Sequence, residues 1–239
     1  MSTQVTPIEK AKHKNTRIKA SALKHAAESH FCPANAHEFP QLAGEFPIVF
    51  VKNSETGSFH AVAVMGLKSG ENLFLQNDQW QANYIPATLR AYPFLLAKVS
   101  EDSEQMAICL DGNSDLVVDG GDAGNPLFNE DGSDSEFFTN ISDFLTKLVA
   151  HGNFTNDFSQ YLADKDLLIE QAIQIKQGDG KEHSVTGVFR IDETKLNALS
   201  NEDFIELREK NYLPAIYAHL ASLIQVKNLG RLNSKKTAN

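Results

Sequence analysis

The hydrophobic period of the chain changes at Glu136, and that change limits the possible folds more than any other feature. Before it, the apolar runs are short, β-branched and closed by turn residues. Pro47-Ile48-Val49-Phe50-Val51 reads as a strand, residues 53–57 as a turn, and residues 61–67 as a second strand, which together suggest a hairpin. Residues 71–75 read as a third short strand. Residues 94–99 and 105–110 read as two more, joined by the acidic turn Glu101-Asp102-Ser103-Glu104. After the change, Phe137, Ile141, Phe144, Leu145 and Leu148 fall at i, i+4, i+7, i+8 and i+11, one face of an α-helix. Short strands and tight turns followed by helices, without βαβ alternation, predict an α+β fold. Its sheet is mostly antiparallel and its helices are concentrated in the C-terminal half.

Local signals fill in this outline. The pair His151-Gly152 is expected to break the first long helix. Phe154, Phe158, Tyr161 and Leu162 form the next apolar set, and burial is the usual role of such a stripe. Residues 84–91 read as a helix with Pro86 in its first turn. Residues 167–175 and 184–191 read as strands flanking the hairpin signal Gly178-Asp179-Gly180. Asp192, and Ser200 or Asn201, are expected to cap two short helices. Leu213, Ile216, Tyr217, Leu220, Leu223 and Ile224 mark the last helix. The chain is read as one domain over residues 1–239, with a flexible basic arm at 1–15 and a flexible tail at 231–239; residues 16–22 show strand-like alternation.

Charge is unevenly distributed. The net charge is −9, from 22 basic and 31 acidic residues, which disfavours a nucleic-acid partner because phosphate binding needs a basic footprint. Lys10, Lys12, Lys14, Arg17, Lys19 and Lys24 form a basic run, whereas residues 101–136 hold eleven acids and no Lys or Arg. These read as a basic arm and a solvated acidic loop, or as a contact arm and an ion- or partner-binding loop. The first 30 residues lack the apolar core of a secretory signal, and no stretch approaches the roughly 20 apolar residues of a membrane span, so a cytoplasmic location is expected. Cys32 and Cys109 make neither a disulfide scaffold nor a metal ligand set.

The order of segments resembles the SapC family of bacterial proteins. The resemblance is carried by EFPIVF (residues 45–50), MGLKSGENLFL (65–75), WQANYIPATLRAYPF (80–94), AICLD (107–111), NPLFNEDG (125–132), TGVFRIDETKLNAL (186–199) and IYAHLASL (216–223). It implies a link to a paracrystalline surface layer. It also implies a cytosolic protein of the kind often encoded near flavin-dependent tryptophan halogenases and TonB-dependent receptors. It supplies no catalytic residues. The peptide-transport permease that shares the name SapC is unrelated.

The search for chemistry returns little. No phosphate loop, nucleophile elbow or HExxH motif is present, so no cofactor is expected. The glycine-rich run Gly120-Gly121-Asp122-Ala123-Gly124 is acidic and is expected to repel a phosphate. His30 and His37-Glu38 form a ligand cluster only if the fold assembles them. Residues 111–122 place Asp111, Asn113 and Asp115 like the first ligands of a calcium loop. Leu116 stands where the turn needs glycine, however, and an Asx-turn loop is the simpler reading.

The remaining candidate for ligand binding is Trp80, Tyr84, Arg90 and Tyr92, aromatics and a guanidinium of the kind that dominate binding hot spots. A packed helix–strand junction explains the same residues, with Arg90 partly buried beside Trp80 or Tyr84. Two functions follow. One is a non-catalytic accessory or binding protein, with a small peptide, an aromatic ligand or a protein as partner. The other is an enzyme acting on a peptide or amino-acid-derived molecule near Trp80–Tyr92.

Overall fold

The computed structural model describes residues 5–98, 106–176 and 182–238. The acidic turn expected at Glu101–Glu104 and the Gly178-Asp179-Gly180 turn lie outside them. The chain begins with β1 (Val5–Pro7), α1 (Lys10–His13), β2 (Thr16–Ile18), β3 (Phe31–Pro33), α2 (Phe39–Leu42), β4 (Ile48–Lys52) and β5 (Phe59–Val64). It continues with β6 (Leu75–Gln76), β7 (Gln79–Trp80), α3 (Ala87–Ala91), β8 (Phe94–Lys98), β9 (Met106–Asp111), β10 (Val117–Asp119) and β11 (Asn125–Pro126). Then come α4 (Glu136–Asp164), β12 (Leu168–Glu170), β13 (Ile173–Lys176), β14 (Glu182–Val185) and β15 (Val188–Ile191). It closes with α5 (Glu193–Asn197), α6 (Asn201–Glu209), α7 (Leu213–Ser222) and α8 (Val226–Ala238). Among the described residues all the strand pairs are antiparallel and the longer helices lie in the C-terminal half, so the fold is α+β as the change of period predicts.

The contacts divide the chain into two units. The first joins Met1–Ala22 to Arg90–Ala150. It holds the three-stranded sheets β1-β9-β8 and β10-β2-β11. Its core is Ile18, Phe94, Leu110, Leu127, Phe128, Phe138 and Leu145. The second joins Leu23–Leu89 to His151–Asn239 and holds the five-stranded sheet β12-β15-β4-β5-β3 and two hairpins. Phe39, Phe46, Phe50, Phe74 and Phe158 are fully enclosed there, packed among Leu42, Ile48, Met65, Leu73 and Leu162.

Five local expectations change. The segment read as an arm carries structure: Val5 to Pro7 pair with Asp111 to Cys109, and Arg17 lies opposite both Val118 and Pro126. The predicted helix over 84–91 shortens to α3, because the Asn83 and Tyr84 N–H groups are held outside the helix by hydrogen bonds to the Glu45 carboxylate. Gly152 does not break α4, which runs for 29 residues. One interior glycine costs a helix only about 1 kcal/mol, and the apolar stripes on either side outweigh it. The tail read as flexible from residue 231 continues α8 to Ala238, and Leu232 within it is buried. On α7, Ile216 is buried as expected, but Tyr217 and the following Ile224 are more than half exposed.

Candidate functional site

β2 forms one side of a cavity in the first unit. Its alternation puts Thr16 and Ile18 inward, at 2% and 3% exposure, and Arg17 on the other face. Three bonds tie the glycine-rich loop to this strand. The Thr16 hydroxyl donates to Asp119 Oδ1 (2.8 Å), the Gly120 N–H donates to the Asn15 carbonyl (2.9 Å), and Arg17 Nε donates to the Gly124 carbonyl (3.0 Å). Gly124 has φ +88°, and a Cβ there would stand 2.5 Å from the Ile18 carbonyl oxygen, so no side chain fits. Gly120 and Gly121 both have φ +72°. Between strand and loop lies a cavity of about 390 Å³, bordered by Lys14, Arg17, Gly120, Gly121, Phe128 and Glu130. Among the described residues neither Lys14 nor Arg17 has a carboxylate partner, and Glu130 has no cationic one.

The four residues singled out from the sequence fall into different units. Trp80 and Tyr84 belong to the second. Trp80 Nε1 donates to the Tyr84 carbonyl at 3.0 Å, and its ring packs 6.2 Å from Phe46 and 6.0 Å from Phe74. The Tyr84 hydroxyl donates to Glu38 Oε2 at 2.9 Å, and the Tyr84 N–H donates to Glu45 Oε1 at 2.9 Å. Glu38 is buried and also accepts from the Asn35 and Ala87 N–H groups, so its charge is met by three donors. The acids of the segment His37-Glu38…Glu45-Phe46 thus fix the loop that carries Trp80 and Tyr84.

Arg90 and Tyr92 belong to the first unit. Arg90, expected to be partly buried, is exposed, and its guanidinium carbon lies 5.3 Å from the centre of the Phe144 ring. The Tyr92 hydroxyl donates to Asp111 Oδ2 at 3.2 Å. Burial first, and then the nearby carboxylates, raise the Tyr92 pKa, against a hydrogen bond from Ser114. Asp111 Oδ1 accepts the Asn113 N–H at 3.1 Å, which is the Asx turn. No group of three or more His, Cys, Asp or Glu able to hold a metal ion occurs among the described residues.

The histidines assemble differently from the sequence reading. His37 stacks on His151 with ring centroids 4.0 Å apart and planes 10° from parallel, and the Phe154 ring meets His37 edge-on. Burial, then the His151 charge, lowers the His37 pKa. His219 is enclosed, and its Nε2 accepts the Ile191 N–H at 3.1 Å. Sequence reasoning missed Lys14 and Arg17 as cavity residues, because it weighed the basic run and the acidic loop separately. The signals were the strand-like alternation after Thr16 and the opposite charges of the two segments. The expectation that the acidic glycine run repels a phosphate takes no account of the two cations that the fold sets beside it.

The family model described as SapC matches residues 8–229 of this chain. Neither the comparison with curated proteins nor that with solved structures gives a match.

Proposed function

The chain belongs to the SapC family, and we propose that it is a non-catalytic accessory or binding protein of the cytosol that holds a small molecule or short peptide in the cavity beside β2. The observation that carries this reading is the cavity itself. It joins two cations that have no carboxylate partner among the described residues, an acid with no cationic one among them, and the Phe128 ring. Ligand sites commonly combine an apolar wall with a few convergent polar groups in this way. For Trp80, Tyr84 and Tyr92, the internal hydrogen bonds support packing roles, as the stacking on Phe144 does for Arg90. No helix among the described residues is long and apolar enough to cross a membrane. Cys32 and Cys109 are free and buried, in keeping with a reducing compartment.

Native mass spectrometry of the chain purified from its own cytosol tests the proposal. A small molecule should be retained by the wild-type chain and lost from the double variant Lys14→Ala/Arg17→Ala. Equal retention by both chains would place the ligand elsewhere.

A further inference from the structure

Resting on the binding role proposed above, we infer that the occupant of this cavity carries a single carboxylate on an apolar body, with the carboxylate held by Arg17 and Lys14. Arg17 is half-buried, and its Nε is committed to the Gly124 carbonyl. That bond fixes the plane of the guanidinium. Its two terminal nitrogens have no protein acceptor among the described residues. A guanidinium fixed in this way presents the parallel pair of donors that matches a carboxylate. Lys14 borders the same space and adds a second positive charge, also without a protein partner among the described residues.

The loop opposite supplies room and a donor. Gly120 and Gly121 carry no side chain, and at each the place of a Cβ meets nothing within 4 Å. The Gly121 N–H makes no hydrogen bond among the described residues. The rest of the lining sets the class. The rings of Phe128 and Pro126 form an apolar wall that suits a hydrocarbon body. Glu130 stands at the same cavity and opposes a second negative charge, so a phosphate dianion is disfavoured against a monocarboxylate. Two cations without a carboxylate partner among the described residues, in a chain of net charge −9 whose acid-rich segment supplies the neighbouring loop, are explained by an anion that comes from outside.

Amide-detected NMR titration of the full chain at neutral pH tests this with three probes. They are phenylacetate, phenethylamine with the same ring but the opposite charge, and inorganic phosphate. Phenylacetate should shift the Gly120, Gly121 and Phe128 amides, phenethylamine should not, and phosphate should bind more weakly. Lys14→Gln alters an exposed side chain and should weaken phenylacetate about tenfold, the usual scale of a charge-assisted hydrogen bond. Glu130→Gln should tighten it. Arg17→Lys keeps the charge and should still lose affinity, because the paired donors are gone. Phenethylamine binding at the same amides as tightly as phenylacetate would overturn the carboxylate assignment and leave the binding role standing. Phosphate binding as tightly as phenylacetate would overturn the apolar-body class. Phenylacetate affinity unchanged in both Lys14→Gln and Arg17→Lys would overturn the assignment to these residues. Failure of all three probes to move any cavity amide would count against the binding role itself.

Discussion

His219 sits on α7 with no exposed surface, against the Phe50 ring at 5.3 Å between centroids. Burial first, and the Arg190 charge second, push its pKa down to about 3. The consequence has a definite sign. Above about pH 6.5 both the folded and the unfolded chain hold this imidazole neutral. As pH falls below that value the unfolded chain takes up the proton, while the folded chain does so only near pH 3. Stability is therefore lost on acidification across that window, by at most about 1.4 kcal/mol per pH unit from this one proton. Urea denaturation at pH 7.5 and pH 5 should show the loss. In His219→Gln, which keeps an acceptor for the Ile191 N–H, the difference between the two pH values should shrink. An equal difference in the variant would assign the effect to other groups, such as His37, whose pKa is lowered in the same direction. At this scale the sequence was partly legible. The apolar stripe of Leu213, Ile216 and Leu220 marks the helix, but the depth of His219 on it is not legible, because burial on α7 depends on β4 and β15, elements distant in the chain.

Among the elements, α4 separates what periodicity reveals from what it leaves open. The stripe Phe137, Ile141, Phe144, Leu145 and Leu148 does face the core of the first unit, yet only Leu145 is buried, at 2%, along with Phe138 beside the stripe. The other four pack against the cluster while partly exposed. Leu145→Ala should therefore cost about 2–5 kcal/mol, and Phe144→Ala clearly less than the 3–5 kcal/mol of an enclosed ring. Chemical denaturation of the two variants measures the order. A larger loss for Phe144→Ala would show that the ring under Arg90 contributes more than its exposure implies. Local strands such as β4 and β8 were legible, because a β-branched or apolar run bounded by turn residues needs no knowledge of its partner. The caps were also legible, as the Asp192 side chain accepts from Thr194 and Lys195, and that of Ser200 from Asp203. β1, β10 and β11 are two or three residues long and owe their form to pairing across the chain, which no local pattern records.

For the molecule as a whole, the basic and acidic runs prove to be structural complements. Lys10 meets Asp134 at 3.5 Å, and the Thr16 and Arg17 side chains bond to the loop over 119–124. As an exposed pair, Lys10–Asp134 adds little by itself. The strand pairing and the burial of Ile18 carry the association. Deleting residues 1–22 removes the central strand of β10-β2-β11 and the edge strand of β1-β9-β8. Hydrogen exchange should then show lost protection over residues 106–128. The five-stranded sheet, which has its own core, should keep its protection. Retained protection over 106–128 would mean that this region folds without its N-terminal strands. The cavity residues were hidden in the sequence for the same reason: Lys14 and Gly121 are neighbours only once strands about a hundred positions apart have paired.

That separation also has a consequence in time. Val5 pairs with Asp111, so a ribosome must add 106 more residues before the first strand meets its partner. At about 5–20 residues per second, the newborn N-terminus waits on the order of 5–20 s with its backbone groups unpaired. The lysines that crowd it keep it hydrated and mutually repelled during that wait, and they give a nascent edge strand little to aggregate with until the acidic partner emerges.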